Sequence, residues 1–205
     1  MSKCKPLEAS NNMAVHITKT DLEGVLIFVP DYFYDNRGYY CETFSERSLK
    51  NAGFVPPRFV QDNQSLSLRP GIVRGIHFQI NPKPQSKLVR CTRGRVFDVV
   101  VDLRKDSPTF KKWIGVELSE DNQKQIWIPN WCGHAFMTLT DNCVVQYKVD
   151  ELYYHEYDRA IQFDDPDINV IWPIKNPVKS QKDIQAPYLK DSDVNFTMEM
   201  SKNEN

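Results

Sequence analysis

Short runs of alternating hydrophobic and polar residues dominate this chain, and long helical periods are rare. The clearest run covers residues 96–103, where strict alternation predicts a strand with one hydrophobic face. Asp98 and Asp102 fall together on its opposite face. The hydrophobic face consists of Phe97, Val99, Val101 and Leu103.

Other segments rich in Val, Ile, Phe and Tyr are bounded by Gly, Pro, Asn or Asp turn signals and predict further strands. They cover residues 24–30, 39–44, 58–65, 71–79, 87–93, 113–118, 125–128, 135–139 and 144–149. Helix is predicted at 45–52, where Ser45 can cap the start and Gly53 can end it, with a short turn at 119–123. Many short strands with so little helix favour a β-sandwich or barrel.

The chain of 205 residues, 40% of them hydrophobic, can bury one good core and is short for two domains. Residues 1–14 and 191–205 are polar and lack hydrophobic periodicity, so we expect a flexible N-terminal extension and a flexible tail. Residues 15–190 are then a single β-barrel domain that ends in a C-terminal helical segment.

Composition limits the classes of binding partner and indicates the cellular compartment. The formal net charge of -1 gives no bulk attraction for nucleic acid or an anionic membrane, so an anionic ligand needs locally placed arginines and lysines. The five cysteines are scattered and form no CxxC pair, which argues for reduced thiols. No apolar run is long enough to span a bilayer, and no signal peptide is evident, so we expect a cytoplasmic protein.

The densest chemical cluster contains Arg74, His77 and Lys87 within 14 positions. A basic group inside a β-barrel is costly unless a ligand or carboxylate meets it, whereas the bland alternative is a solvated strand face with a satisfied histidine. Arg74 and His77 differ by an odd number, so ideal alternation would point them to opposite faces. Gly75 between them predicts a β-bulge that lets both reach one site.

Two other strands carry polar side chains that could face a site. Gln61 and Asn63 share a face as amide donors and acceptors, or simply form a polar rim. Tyr147 shares its face with Val145 and Val149, which predicts an inward hydroxyl. Such a tyrosine is more often a hydrogen-bonded packing residue than an acid.

Metal binding is the competing use of a barrel interior. The histidines show no HxH or HxxxH spacing, and no glutamate follows His77 closely enough to complete a ligand set. We therefore expect no metal and disfavour a metal-dependent dioxygenase. The four histidines are His16, His77, His134 and His155.

Taken in order, the motifs resemble those of the dTDP-4-dehydrorhamnose 3,5-epimerase family over nearly all of residues 24–189. Singly they are weak, but their order and spacing are highly specific. They are residues 35–38 (DNRG) with Glu42, 59–63 (FVQDN), 74–79 (RGIHFQ), 87–91 (KLVRC), 96–99 (VFDV), 107–110 (SPTF), 127–129 (WIP), 133–136 (GHAF) and 147–148 (YK).

The resemblance implies a cupin-like antiparallel jelly-roll barrel that forms a homodimer and needs no cofactor. It implies epimerisation of a dTDP-4-keto-6-deoxy sugar at C3 and C5, in rhamnose-type deoxysugar biosynthesis. The family's general base matches His77 and its orienting carboxylate Asp183. Its general acid matches Tyr147, and Lys87 falls where the family stabilises the enolate.

Substrate-binding positions of the family are also matched. In the same protomer these are Gln61, Asn63, Arg74, His134, Asp158 and Lys182, and positions that reach the nucleotide across the dimer are Arg37 and Glu42. Asp158 departs from the usual glutamate, Gln64 stands where histidine is common, and the loop before His134 differs. These departures bear on sugar or nucleotide preference more than on the chemistry.

The sequence leaves two alternatives open. A sister enzyme that inverts only C3 or only C5, or a 4-keto sugar isomerase, would share the barrel and much of the acid–base set. A non-catalytic cupin-like module that binds a sugar nucleotide would not need His77, Asp183, Lys87 and Tyr147 together.

Overall fold

The antiparallel strands of this chain form two β-sheets that face each other and pack through their hydrophobic side chains. The computed structural model describes residues 5–6 and 14–202. Its strands are β1 (Lys5–Pro6), β2 (Val15–Lys19), β3 (Leu26–Pro30), β4 (Tyr32–Asp35), β5 (Gly38–Cys41), β6 (Gln61–Ser67), β7 (Val73–Gln79), β8 (Lys87–Arg93), β9 (Arg95–Asp102), β10 (Trp113–Ser119), β11 (Gln125–Ile128), β12 (Cys132–Thr138), β13 (Cys143–Val149) and β14 (Asp158–Ala160). The helices are α1 (Glu46–Asn51), α2 (Gln181–Ile184) and α3 (Met198–Lys202), with a 3-10 turn at Leu189–Asp191.

The larger sheet has six strands in the order β2-β3-β11-β8-β13-β6, and the second has five in the order β10-β9-β12-β7-β14. Neighbouring strands in both sheets are antiparallel. The short strands β1, β4 and β5 form a third, small sheet in which β1 runs parallel to β4. The predicted mainly β, cupin-like barrel with a few short helices is confirmed.

Hydrophobic side chains from both sheets fill the space between them. Val89 and Val145 of the six-stranded sheet pack with Val96, Val100 and Phe136 of the five-stranded sheet. The four-residue hydrophobic face predicted for β9 points the other way, into a second core on the outer side of its sheet. Both faces of β9 are therefore buried, and a carboxylate on its inner face must find a partner inside the barrel.

The chain after β14 covers the outer face of the five-stranded sheet. Val194 and Phe196 are each 2% exposed, and the Phe196 ring lies 6.0 Å from the Phe78 ring, centre to centre. Burial of such a side chain contributes about 1.5–3 kcal/mol. The flexible tail predicted from residue 191 does not match this packing, because two apolar residues in a polar stretch were enough to anchor it.

Asp165 fastens this covering segment through three backbone groups. Its carboxylate accepts hydrogen bonds from the N–H groups of Asp167 (2.9 Å), Ile168 (3.0 Å) and Leu189 (2.6 Å). Asp165 is 1% exposed, so this carboxylate replaces water for groups that would otherwise be unsatisfied.

The N-terminal half follows the predictions in part. The α1 cap is confirmed, since Ser45 Oγ accepts the N–H of Ser48 at 3.2 Å. Of the predicted extension at residues 1–14, all but Lys5, Pro6 and Ala14 lie outside the described residues.

Within the described part of the chain, four cysteines are free thiols and no helix has the length and apolar character needed to cross a bilayer.

Candidate active site

A β-bulge at Gly75 brings two basic side chains to one site. In the pairing of β7 with β12, His77 lies opposite His134 and Arg74 lies opposite Phe136, so three steps on β7 match two on β12. Gly75 has φ +109°, and a Cβ there would lie 2.9 Å from the Cα of Ala135. The predicted bulge is confirmed, and glycine is required where the two backbones approach so closely.

Beside the bulge, a cavity of about 460 Å³ opens between the two sheets. Strands β7 and β12 supply one wall, β8 and β13 supply the other, and β14 and α2 lie at the rim. Eight of the sequence-predicted residues line it: Arg74, His77, Lys87, His134, Tyr147, Asp158, Lys182 and Asp183.

His77 and Asp183 form a hydrogen-bonded pair at this cavity. His77 Nε2 lies 2.5 Å from Asp183 Oδ1, although the residues are 106 positions apart. Burial opposes ionisation of Asp183, but the bonds from His77 and Ser180 outweigh it and lower the pKa of the carboxyl. A neutral imidazole that donates Nε2–H to this carboxylate keeps an unprotonated Nδ1, which can act as a base.

Ser180 holds Asp183 from the other side. Ser180 Oγ caps the short helix α2 by accepting the Asp183 N–H at 3.1 Å, and it donates to Asp183 Oδ2 at 2.7 Å. The carboxylate is 3% exposed, so its position is fixed by packing as well as by these bonds. Sequence reasoning missed Ser180, although a serine three residues before an acidic residue is a capping signal.

A second histidine–carboxylate pair lies on the adjacent strands. His134 Nε2 is 2.8 Å from Asp98 Oδ2, and the Asp98 side chain is fully buried. Burial raises the pKa of Asp98, while the neighbouring His134 lowers it in part. Because His134 is the cross-strand neighbour of His77, the two histidines stand side by side in the five-stranded sheet, each with its own carboxylate. Alternation placed Asp98 only on the face opposite the hydrophobic residues of its strand, and Asp98 was not predicted as a site residue.

Lys87 lies in the opposite wall of the cavity, and its ammonium group is buried there. The residue is 7% exposed, and the only hydrogen bond recorded for its Nζ among the described residues is a 3.5 Å contact with the Gln85 carbonyl oxygen. Burial lowers the pKa of Lys87 to about 8, although nearby Asp150 and Asp158 oppose that shift. A buried cation with so weak a partner is suited to an electron-rich ligand atom.

Tyr147 also lies in the opposite wall, on β13 of the six-stranded sheet. Its inward orientation is confirmed, because the ring packs against the inter-sheet core. Burial raises the pKa of Tyr147, Arg74 opposes the shift and Asp158 adds to it. The hydroxyl therefore keeps its proton at neutral pH and can donate it.

The cavity rim carries both charges. Lys182 Nζ lies 2.5 Å from Asp158 Oδ2, and Tyr153 donates its hydroxyl to the same oxygen at 3.1 Å. Arg74 donates through Nε to Ser67 Oγ at 3.2 Å. Tyr153 was not predicted from the sequence; it is exposed and lies outside any alternating strand.

Four predicted binding residues are elsewhere in the protomer. Gln61 donates to Asn63 at 2.7 Å, and Asn63 borders a neighbouring groove of about 300 Å³ that Tyr147 also lines. Arg37 lies in the β4–β5 turn, where it pairs with Asp35 at 2.6 Å. Glu42 accepts a hydrogen bond from Ser48 beside α1.

No group of three or more His, Cys, Asp or Glu side chains in the described ranges has the arrangement of a metal site. The cavity offers acids, bases and cations on facing walls. Such a barrel interior is that of a cupin-like protein whose side chains are suited to acid–base chemistry.

Comparison with known proteins gives the family. The family model described as dTDP-4-dehydrorhamnose 3,5-epimerase matches residues 19–191. A dTDP-4-dehydrorhamnose 3,5-epimerase of Methanothermobacter thermautotrophicus is 47% identical over 179 residues, which cover 86% of this chain and 95% of that protein. The chain belongs to the dTDP-4-dehydrorhamnose 3,5-epimerase family, whose members are isomerases.

Two solved structures of similar fold belong to enzymes with different epimerase reactions. The dTDP-6-deoxy-D-glucose-3,5-epimerase of Legionella pneumophila, in complex with dTDP-4-keto-L-rhamnose, matches with TM-score 0.81 and 38% identity, covering 87% of this chain and 95% of that chain. A 3'-monoepimerase of Streptomyces bikiniensis, in complex with dTDP-quinovose, matches with TM-score 0.83 and 31% identity, covering 90% and 95%.

Proposed function

We propose that this chain epimerises C3 and C5 of a dTDP-4-keto-6-deoxy sugar in rhamnose-type deoxysugar biosynthesis. The ketone at C4 acidifies both neighbouring C–H bonds, so a base can remove each proton while the charge moves to the carbonyl oxygen. Return of a proton to the opposite face inverts the carbon. Because no electron is transferred in these steps, the reaction needs no redox cofactor.

The observation that carries this proposal is the placement of base and acid on facing walls. His77 projects from the five-stranded sheet and Tyr147 from the six-stranded sheet, with the cavity between them. Inversion requires proton removal on one face and proton delivery on the other. Asp183 would stabilise the imidazolium that forms on His77, and a positioned acid or base contributes about 10² to 10⁴-fold.

Lys87 is assigned to the enolate oxygen. Its buried ammonium lies where water is largely excluded, and there a fixed cation stabilises developing negative charge far more than it would in water. His134, held by Asp98, is assigned to a sugar hydroxyl or the carbonyl oxygen beside it.

The diphosphate is assigned to Arg74 and Lys182 at the rim. The planar guanidinium of Arg74 still has donors for a bidentate phosphate contact after its Nε binds Ser67 and its Nη2 binds the Leu66 carbonyl oxygen. Lys182 is paired with Asp158, and this pair would open or widen when the anionic nucleotide arrives. Asn63 borders the neighbouring groove and would contact the nucleotide there, together with Gln61, which is hydrogen-bonded to it.

A homodimer would give Arg37 and Glu42 their proposed role. Within one protomer neither residue lines the cavity, and in a dimer each would reach the nucleotide of the neighbouring copy. The exposed Tyr34, Tyr39 and Tyr40 of the same hairpin are suited to burial in such an interface. Size-exclusion chromatography with light scattering tests the dimer, and a strict monomer would contradict it.

The cytoplasmic location of the protein stays a prediction.

The single-site alternative is supported by the structural similarity to a 3'-monoepimerase. Proton NMR in D₂O separates the alternatives when dTDP-4-keto-6-deoxyglucose is incubated with the enzyme. Exchange at both C3 and C5 supports the double epimerase, and exchange at one carbon supports the narrower enzyme. Absence of exchange, with binding retained, would point to a non-catalytic module.

His77→Ala tests the assignment of the base in the same assay. We expect turnover to fall far more than folding stability, and full activity would refute the assignment. Lys87→Ala is expected to lower kcat as well as binding. An effect on KM alone would mean that Lys87 only holds substrate.

A further inference from the structure

Asp150 and Lys87 contact the same peptide group, the one that joins Gln85 to Ser86. Lys87 begins β8 and lies opposite Val149, the last residue of β13. The next residue, Asp150, accepts the N–H of Ser86 through Oδ1 at 2.7 Å. Lys87 Nζ lies 3.5 Å from the carbonyl oxygen of the same peptide group, at Gln85, so the ammonium and the Asp150 carboxylate are held at its two ends. Asp150 is not among the described residues that line the cavity.

The segment that carries Asp150 is held rigidly. The Gln85 side chain donates to the Glu151 carbonyl oxygen at 2.7 Å, and the Gln79 side chain donates to the Leu152 carbonyl oxygen at 3.1 Å. Gln79 also accepts the N–H of Tyr154 at 2.8 Å. These bonds hold the chain that follows Asp150, and the pairing of β13 with β8 holds the chain that precedes it.

Four ionisable groups from different elements act on the Lys87 ammonium. Asp150, Asp158 and the Cys132 thiol favour its charged form, and Lys182 disfavours it. Asp158 is already paired with Lys182 at 2.5 Å, so much of its charge is compensated at the rim. Burial raises the pKa of Asp150, while the Ser86 hydrogen bond and the Lys87 charge oppose that shift. Asp150 makes no ion pair within the described ranges, and it has the largest effect among the groups that favour the charged form of Lys87.

We propose that Asp150 is a positioning residue of the epimerase: its carboxylate keeps the Lys87 ammonium charged and aimed at the carbonyl oxygen of the bound sugar. The role at the carbonyl rests on the proposed function, whereas the charge coupling between Asp150 and Lys87 does not. Asp150 acts through Lys87 and does not touch substrate.

The test is Asp150→Asn, which removes the charge and keeps an oxygen that can accept the Ser86 N–H. Without the carboxylate, the pKa of Lys87 falls further below its wild-type value of about 8, by about one unit. Lys87 must be protonated to stabilise the enolate, so activity is present below its pKa and lost as pH rises through it. The basic limb of kcat/KM therefore moves about one pH unit lower.

Glu151→Gln is the matched control. It makes the same charge change one residue away, at a carboxylate that pairs with Lys83 at 3.1 Å near the surface. Its basic limb is expected to coincide with that of the wild type. Asp150→Glu restores the charge and is expected to return the limb toward the wild-type position. An effect that came only from loss of packing would not follow charge in this way.

A titration without substrate separates failure of this proposal from failure of the proposed function. In protein with ¹³Cε-labelled lysine, the Lys87 signal is assigned by its absence in Lys87→Arg, and its pKa is read in each variant. An unchanged Lys87 pKa in Asp150→Asn overturns the proposal even if the wild type epimerises the sugar. A lowered pKa supports the coupling even if another sugar is the substrate.

The variant must remain folded for these readings. Thermal melting checks this, and Asp150→Thr, whose hydroxyl oxygen can also accept the Ser86 bond, carries the same expectation if the asparagine variant melts early. Coincident basic limbs and an unchanged Lys87 pKa in the folded variant would refute the role of Asp150.

Discussion

Replacement of Asp183 by asparagine tests the central pair of the site. The amide oxygen can still accept the Nε2–H of His77, so the imidazole keeps its orientation and its free Nδ1. What disappears is the negative charge beside the imidazolium that forms when His77 takes a proton. Asp183→Asn therefore separates the electrostatic contribution of the carboxylate from its contribution to geometry.

The magnitude follows from the contact itself. A buried carboxylate 2.5 Å from the imidazole makes a charge-assisted bond with the protonated ring, worth about 1.5–3 kcal/mol net. An amide in its place leaves a weaker neutral bond and removes a charge from a water-poor site. We therefore expect the activation free energy to rise by about 2.7 kcal/mol, which lowers the rate about a hundredfold. The loss should fall on kcat, because the imidazolium exists only after proton abstraction begins.

The assay follows epimerisation and C–H exchange by proton NMR, with thermal melting recorded in parallel. The control is Asp193→Asn, which changes a carboxylate that pairs with Arg159 at the surface, at 2.7 Å. We expect the control to retain wild-type kcat, and Asp183→Asn to melt within a few degrees of the wild type. Activity of Asp183→Asn within threefold of the wild type would refute the stated role of the carboxylate.

Three further changes test other parts of the structure. Gly75→Ala places a Cβ 2.9 Å from the Cα of Ala135 at φ +109°, so we expect at least about 2 kcal/mol of destabilisation in urea unfolding, and wild-type stability would contradict the tight bulge. Asp165→Ala leaves three backbone N–H groups without their acceptor, and we expect about 3 kcal/mol lower stability with faster proteolysis of the covering segment. Tyr147→Phe is expected to lower turnover about 10² to 10⁴-fold while His77 still exchanges C–H protons with solvent, and loss of both activities together would argue that Tyr147 is structural.

The strands could be predicted where one face meets the core between the sheets. Alternation located β9 because its side chains divide cleanly between two cores. It did not locate β14, a three-residue strand whose pairing with β7 depends on contacts between distant segments. The packing of Phe196 was missed for the same reason, since its anchoring depends on Phe78 and not on its own neighbours.

The site residues also divide into those that local sequence pattern predicts and those that it does not. Local pattern was sufficient for the bulge at Gly75 and for the inward orientation of Tyr147. The pairing of His77 with Asp183 came from family resemblance, because no local rule joins residues 106 positions apart. Alternation placed Asp98 opposite the hydrophobic face of β9, but it could not show that this face is the inner one or that Asp98 pairs with His134, because both depend on how the strands pack.

The wide separation of the His77–Asp183 pair also bears on how the protein is made. On a ribosome, β7 is synthesised before either of its sheet partners, β12 and β14, so both of its edges wait unpaired while the chain grows. During that interval the nascent chain displays open strand edges and the apolar residues of a core that cannot yet close, a state prone to aggregation. The enzyme can acquire its acid–base centre only after residue 183 has emerged, which makes assembly of the site a late event in biosynthesis and a point at which chaperones would act.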